Sequence, residues 1–305
     1  MKLTHSRAVF LMVAVTLMWS TAGVVTRHLD AARSFEVTFW RACFTAITLL
    51  LVLPLVRGRK VFSAMLGAGR AFWLSGLCWS VMFTAYMVAL TLTSVGNVLI
   101  TMSLGPLMTA LIARIFIGHR IPIRTWVAIA VAGAGIAYMY GAQLQGGQMV
   151  GTLIALCVPI AGATNWTVTQ HAHAKGSDVD LVPAVFVGAV ISAAVTLPLA
   201  WPMKATNHDL GLLAYLGVFQ LAIPCGLVVV LTAHLEAHEV ALLSLLEVIF
   251  GVTAAWLWAS EPLAPAQWLG GGLVLASMAW HALQPQPEAR HGGRGMVSGS
   301  SGAQP

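Results

Sequence analysis

Charged side chains are scarce in this sequence. Asp, Glu, Lys and Arg together make up 9% of its 305 residues, whereas 58% of the residues are hydrophobic. A soluble globular domain usually contains about 25% charged residues. A helix needs about 20 mostly apolar residues to cross a bilayer, and several runs in this chain reach that length. The composition therefore indicates an integral membrane protein and argues against a soluble domain.

The usual sequence signatures of metal, nucleotide and catalytic sites are missing as well. The four cysteines lie far apart in apolar runs without a CxxC pair, which argues against a zinc site or a disulfide framework. The sequence contains no glycine-rich phosphate loop, so we expect no ATP site. It also contains no nucleophile–base pair or cluster of metal ligands at membrane depth. We therefore expect neither an enzyme nor a bound metal or cofactor.

Ten apolar runs, separated by polar turns or turns containing Gly or Pro, predict an all-α protein with ten transmembrane helices. The predicted spans lie near residues 7–27, 35–56, 71–92, 96–117, 122–141, 150–171, 180–201, 210–232, 240–259 and 266–283. Several turns are short, so neighbouring helices are expected to be antiparallel. The last segment, 284–305, is rich in Gly, Ser, Pro and Gln and is predicted to be disordered.

Lys and Arg are distributed unevenly between the two ends of these spans. With a cytoplasmic N-terminus, twelve of the sixteen would lie on the cytoplasmic side, three on the opposite side, and Arg41 within a span. Cytoplasmic loops of membrane proteins are enriched in Lys and Arg, so both termini are expected to be cytoplasmic. The net charge of +6 then reflects orientation in the membrane, and no nucleic-acid partner is expected.

The fourth and fifth spans resemble the ninth and tenth when the sequence is shifted by 142 positions without gaps. Trp126 then coincides with Trp268, and the breaks between the helices coincide too. This similarity predicts two five-helix repeats, residues 1–142 and 143–283. Because five is an odd number, the repeats would insert in opposite orientations. Inverted repeats are typical of secondary transporters, whose substrate site lies near the midplane between the repeats, so we expect a central cavity there.

Glu247 is the only charged residue in the apolar run 240–258. A carboxylate near the middle of a bilayer costs about 2.5–3.5 kcal/mol on insertion scales, so it is expected to face a water-filled cavity or a partner. Ser244 and Gly251 lie three residues before it and four after it, on the same helix face. Glu247 is therefore a candidate for binding a substrate amine or for carrying a proton. The alternative is a structural hydrogen bond between helices.

Other polar and aromatic residues within the spans are candidates for lining a cavity. Arg41 could bind a carboxylate on the substrate, or it could extend to the membrane surface or pair with Glu36. The remaining candidates share a position well inside a span, and for the polar ones the alternative is hydrogen bonding between helices. They are Trp19, Tyr86, Asn97, Trp166, Gln220 and Ser244.

Glycine and proline mark two further features of the spans. Gly105 and Pro106 coincide in the repeat with Glu247 and its neighbour. A Gly-Pro pair within a helix interrupts its hydrogen bonds, so we predict a hinge or helix break there. The glycine-rich segments 132–137 and 270–277 lie in the last helix of each repeat. Small residues let helices approach closely, either within the chain or in a weak homodimer, so a monomer and a homodimer both remain open.

Three sequence segments resemble the drug/metabolite transporter superfamily, specifically its EamA branch. They are "LMWSTAGVV" (17–25), "FWRACFTA" (39–46) and "YMVALTLTSVGNVLITMSLGP" (86–106). The resemblance covers about residues 7–283. Relatives often carry a proline after the acidic residue of the ninth helix, where this chain has Val248, and a Gly-Glu turn, where this chain has "SEP".

The resemblance implies ten helices around a central cavity, in a bacterial inner membrane, with export by alternating access. Within the branch, the chain is most similar to bacterial exporters of aromatic amino acids. The implied substrates are small neutral or aromatic amino acids and related metabolites. Glu247 would then bind the ammonium group of such a zwitterion and Arg41 its carboxylate. A proton-coupled exporter of lipophilic drugs or cations is the alternative.

Overall fold

The apolar runs of the sequence form a bundle of helices in the computed structural model, which describes residues 4–118, 122–143, 149–174, 182–231, 235 and 237–283. The described residues form thirteen α-helices and one π-helix, and they contain no strand. The α-helices are α1 (His5–Arg27), α2 (Ser34–Arg57), α3 (Val61–Leu66), α4 (Arg70–Leu92), α5 (Val95–Met102), α6 (Gly105–Ile117), α7 (Ile123–Gln143), α8 (Met149–Ala174), α9 (Val182–Ala200), α10 (Asn207–Tyr215), α11 (Ile223–Leu231), α12 (Ala237–Trp258) and α13 (Pro265–Ala282). The π-helix, Leu216–Ala222, connects α10 to α11. The predicted disordered tail, 284–305, lies outside the described residues.

Each predicted span coincides with one helix or with one interrupted helix. The fourth span consists of α5 and α6, and the eighth consists of α10, the π-helix and α11. Six helical segments are long and apolar enough to cross a membrane, and α5 together with α6 makes a seventh. The chain is therefore a multi-pass membrane protein. That α7, α12 and α13 also cross the membrane, which would give ten spans, stays a prediction.

Local sequence signals explain where several helices begin and end. Gly118 ends α6 with a φ of 74°, a left-handed conformation that glycine adopts without a steric penalty. Thr206 and Asp209 form a reciprocal capping box at the start of α10. The short α3, which the sequence analysis did not predict, lies in the connection between α2 and α4.

The two halves of the chain are interleaved rather than packed side by side. The most extensive helix contacts join α4 to α8 and α9, α2 to α9, α7 to α13, and α1 to α12. In each of these contacts one helix comes from the first half of the chain and the other from the second half. The largest cluster of buried apolar residues accordingly contains residues of both halves.

Glycine permits the closest of these helix crossings. A Cβ atom added to Gly135 on α7 would lie 2.6 Å from the carbonyl oxygen of Gly270 on α13, and one added to Gly270 would lie 2.5 Å from that of Gly135. Real Cβ atoms essentially never come within 3.0 Å of another heavy atom in this way. These two glycines of the predicted glycine-rich segments therefore pack against each other within the chain.

The ends of α1 and α4 and the starts of α2, α5, α10 and α13 meet at one face of the bundle, which we call the Glu261 face. There, Asp209 accepts hydrogen bonds of 2.7–3.1 Å from the backbone N–H groups of residues 30–32 and Thr206. His208 Nδ1 lies 3.0 Å from the exposed carboxylate of Asp30. These contacts join the α1–α2 loop to the start of α10.

Candidate functional site

Arg41 lies on α2 and is almost fully buried, with 3% of its surface exposed. Its Nη2 donates a hydrogen bond of 2.8 Å to Oε1 of Gln220. Its guanidinium carbon lies 5.5 Å from the ring centroid of Tyr86 and 6.0 Å from that of Phe83, distances at which a cation is attracted to an aromatic face. In the part of the chain that the structure describes, Arg41 Nε has no hydrogen-bond partner.

This environment argues against two of the alternatives for Arg41, whereas its binding of a substrate carboxylate stays a prediction. A side chain with 3% exposure does not extend to the membrane surface. Glu36, the other proposed partner, accepts hydrogen bonds of 2.8 and 2.7 Å from the backbone N–H groups of Lys204 and Ala205. Glu36 therefore holds the α9–α10 loop, and Arg41 is directed to Gln220 and the two aromatic rings.

The π-helix positions Gln220 beside Arg41. Gln220 Nε2 donates a hydrogen bond of 3.2 Å to the backbone carbonyl oxygen of Trp19 on α1, so the one amide links α1, α2 and the π-helix. A π-helical turn widens the backbone by one residue, and such turns occur frequently at functional sites. Here the π-helix brings the side chain of Gln220, from the second half of the chain, to the guanidinium of Arg41, from the first half.

Thr45 and Gly217 fix the distance between α2 and the π-helix. The Thr45 hydroxyl donates to the carbonyl oxygen of Arg41 at 2.8 Å and to that of Gly217 at 3.1 Å. A Cβ atom on Gly217 would lie 2.5 Å from Cβ of Phe44 and 2.9 Å from the carbonyl oxygen of Arg41. Only glycine allows this approach, and the approach sets the geometry of the Arg41–Gln220 hydrogen bond.

Glu247 lies on α12 and is half-buried. Its carboxylate lies within electrostatic range of the Arg41 guanidinium and near the side chains of Tyr86 and Cys225, so the acidic candidate and the basic candidate lie in one region of the bundle. Together with Trp19, Phe83 and Gln220 these residues form what we call the Arg41 cluster. Its members come from α1, α2, α4, the π-helix, α11 and α12.

The two residues that share the predicted face of Glu247 have structural contacts. The Ser244 hydroxyl donates to the carbonyl oxygen of Val240 at 2.7 Å, within its own helix. A Cβ atom on Gly251 would lie 2.4 Å from Leu99 and 3.6 Å from Ser20. Gly251 therefore allows α12 to pack closely on α5 and α1.

Asn97 and Trp166 lie in other surroundings than the Arg41 cluster. Asn97 is fully buried on α5, where its Nδ2 donates to Thr93 Oγ1 at 2.9 Å and its Oδ1 accepts from Gln267 Nε2 at 2.8 Å. This is the hydrogen bonding between helices that we gave as the alternative for Asn97. Trp166 on α8 is 37% exposed, and its part in a cavity stays a prediction.

The Gly105–Pro106 pair marks a break in the fourth span. Helix α5 ends at Met102, and α6 begins at Gly105 with Pro106 in its first turn. The two helices are bent by 40° relative to each other. Proline has no N–H to donate, so the first turn of a helix is where it is tolerated best. Movement at this break stays a prediction.

The sequence analysis missed several members of this site. Phe83 lies three residues before Tyr86, and this spacing places both rings on one face of α4. Gly217 lies three residues before Gln220, and the same spacing predicts that these two residues share a helix face. Cys225 lies in an apolar run, and nothing in its local sequence indicates a neighbouring cation.

Comparison with known proteins identifies the class of molecule to which this site belongs. The family model described as "EamA-like transporter family" matches residues 6–141 and, separately, residues 149–282. A solved structure titled "Crystal structure of protein" is 18% identical, covers 92% of this chain and 100% of its own, and superposes with a TM-score of 0.61. At that identity the likeness concerns the fold alone. No curated protein matches the chain.

Proposed function

Because the chain belongs to the EamA-like transporter family, a family of membrane transporters in the drug/metabolite superfamily, we propose that it exports small neutral or aromatic amino acids and related metabolites. Export would proceed by alternating access across a bacterial inner membrane, with both termini in the cytoplasm. The uneven distribution of Lys and Arg supports that orientation. The substrate class is the one that the sequence resemblance predicts.

The observation that carries this proposal is that Nε of the buried Arg41 has no hydrogen-bond partner among the described residues. Leaving a buried donor without an acceptor costs about 1–3 kcal/mol, and more for a charged group. Gln220 satisfies Nη2 but leaves the Nε edge of the guanidinium for another acceptor. A substrate carboxylate is the natural ligand, because arginine binds carboxylates through two parallel N–H groups.

Glu247 supplies the complementary charge for the same substrate. An α-amino acid carries its ammonium and carboxylate groups on one carbon, so a site for it needs an anion and a cation in one group of residues. Glu247 and Arg41 interact electrostatically, which supports such a pairing. The Tyr86 and Phe83 rings beside the guanidinium offer apolar surface to the side chain of the substrate.

Uptake of radiolabelled phenylalanine, methionine and threonine into proteoliposomes tests this proposal. We expect Arg41→Gln to raise KM about 10- to 100-fold, since a hydrogen bond to a charged group contributes about 1.5–3 kcal/mol. Glu247→Gln is expected to reduce transport of the same three amino acids. Arg59→Gln, which changes an exposed loop residue, is the matched control and should transport normally. Unchanged KM in folded Arg41→Gln protein would disprove the assignment.

Glu247 also favours a second candidate function, proton-coupled export of lipophilic cations. A half-buried carboxylate could bind a proton and a cation alternately, and the neighbouring aromatic rings attract cations. Efflux of tetraphenylphosphonium driven by a pH gradient, with no competition by amino acids and with loss in Glu247→Gln, would favour this function over amino acid export.

A further inference from the structure

Glu261, in the turn between α12 and α13, joins the ends of three helices at the Glu261 face. Its Oε2 lies 3.0 Å from Nε of Arg27, the last residue of α1. Its Oε1 accepts a hydrogen bond of 2.7 Å from the backbone N–H of Val95, the first residue of α5. One carboxylate thus connects the end of α1, the start of α5 and the α12–α13 turn.

Arg27 extends this connection to the end of α4. Its Nη1 donates to the carbonyl oxygen of Leu90 at 2.6 Å, and its Nη2 donates to that of Thr93 at 2.7 Å. Arg27 therefore satisfies two carbonyl groups at the end of α4, groups that have no partner within their own helix. Lysine, which carries one compact ammonium group, cannot reproduce this three-way contact.

The backbone of the α12–α13 turn directs Glu261 toward Arg27. Ser260 has a φ of 50°, which is uncommon for a residue other than glycine. The N–H of Glu261 donates to the carbonyl oxygen of Ala255 at 3.2 Å.

Water reaches this ion pair. The side chains of Arg27 and Glu261 are 28% and 21% exposed, and both line a cavity of about 420 Å³ together with residues of the α4–α5 and α12–α13 turns. A partly exposed ion pair contributes about 1 kcal/mol or less. Such a contact can break and re-form during a transport cycle, whereas a dry buried pair would resist separation.

The ion pair also connects the two halves of the chain. Arg27, Leu90, Thr93 and Val95 belong to the first half, and Glu261 belongs to the second. In transporters built from inverted repeats, alternating access requires one part of the molecule to move relative to the other. Opening of the Glu261 face would separate α1 and α5 from the α12–α13 turn, so these contacts would have to break.

We propose that the Arg27–Glu261 ion pair is the gate contact that holds the Glu261 face closed. The distribution of Lys and Arg predicts that this face lies on the side of the membrane opposite the termini. The proposal depends on the contacts at this face and not on the identity of the substrate. It stands even if the substrate is not an amino acid.

Spin labels at two exposed positions on either side of the ion pair test this proposal without any substrate. Cysteines replace His28 and Pro265, which are both exposed, in a full-length background whose native cysteines are alanine. Double electron–electron resonance then measures the distance distribution between α1 and α13 in nanodiscs. We expect a single short distance in the parent protein.

Two variants of the ion pair should shift that distribution toward longer distances. Glu261→Gln is isosteric and can still accept the Val95 N–H, but it loses the charge attraction. We expect the ratio of long to short distances to rise about fivefold, the equivalent of about 1 kcal/mol for a partly exposed ion pair. Arg27→Lys keeps the charge but loses the carbonyl contacts, and a similar shift is expected.

A matched control distinguishes the gate contact from general loosening of this face. Asp30→Asn removes the negative charge from an exposed contact with His208 on the same face and should leave the distance distribution unchanged. The proposal is refuted if Glu261→Gln and Arg27→Lys are both monodisperse and retain the parent distribution. If only one of the two variants folds, the proposal is refuted when that variant retains the parent distribution. Because the measurement involves no transport, its result is independent of the substrate assay for Arg41.

Discussion

Replacing Gly217 with alanine is expected to separate Gln220 from Arg41. The new Cβ atom would lie 2.5 Å from Cβ of Phe44 and 2.9 Å from both the carbonyl oxygen of Arg41 and the amide nitrogen of Thr45. Two of these three atoms belong to the α2 backbone, so no side-chain rotation can relieve the contact. The π-helix and α2 must therefore move apart by several tenths of an ångström or more.

The size of the effect follows from the hydrogen bond that depends on this approach. The Arg41–Gln220 distance is 2.8 Å, and a contact beyond about 3.5 Å is no longer a hydrogen bond. Losing a hydrogen bond to a charged group costs about 1.5–3 kcal/mol, which corresponds to about 10- to 100-fold in affinity. Overpacking itself is expected to cost about 1–3 kcal/mol of stability.

Transport kinetics in proteoliposomes, together with thermal unfolding in detergent, measure both effects. Gly217→Ala should raise KM with little change in kcat, because the altered contact orients the binding residue Arg41. Gly211→Ala is the matched control, since its Cβ would meet nothing within 4 Å and it lies on the adjoining α10. A folded Gly217→Ala protein with the parent KM would refute the positioning role of the π-helix.

Two further predictions concern stability. Gly135→Ala should lower the free energy of unfolding by about 1–3 kcal/mol, because its Cβ would press on the backbone of Gly270. Gly133→Ala is the control, since its Cβ would meet nothing within 4 Å. Thermal unfolding measures both variants, and equal midpoints would contradict the close crossing of α7 and α13. Asp209→Ala should destabilise the protein by at least about 2 kcal/mol, because it removes a helix cap and the acceptor for the N–H groups of residues 30–32; the same measurement applies, and Asp30→Asn serves as the control that should be nearly neutral.

The positions of the helices could be predicted from the sequence because hydrocarbon thickness and the interruption of apolar runs determine them. The membrane class and the family were also predicted, and the family match confirms them. The break before Gly105 follows from the proline beside it, since proline removes a donor from the helix. Each of these features depends on residues that are close together in the chain.

The π-helix and the Arg41–Gln220 contact could not be predicted because they depend on packing between the two halves. Nothing in "LGVFQLA" distinguishes a π-helix from an α-helix, and the widened turn arises where Gly217 packs on α2. Asn97 illustrates the opposite limitation. The amide of a buried asparagine can form hydrogen bonds in a cavity or between helices. Only the structure shows that the partners of Asn97 are Thr93 and Gln267, on neighbouring parts of the bundle.

The interleaving of the two halves has a consequence for biosynthesis. Helices α1, α2 and α4 leave the ribosome first, yet their principal partners, α12, α9 and α8, are all synthesised later. The early helices must therefore remain in the lipid as separate, individually hydrogen-bonded segments until the late ones arrive, as in two-stage assembly of membrane proteins. During that interval the guanidinium of Arg41 has neither Gln220 nor Glu247 beside it, so α2 must insert while it carries a charge that lacks these two later partners.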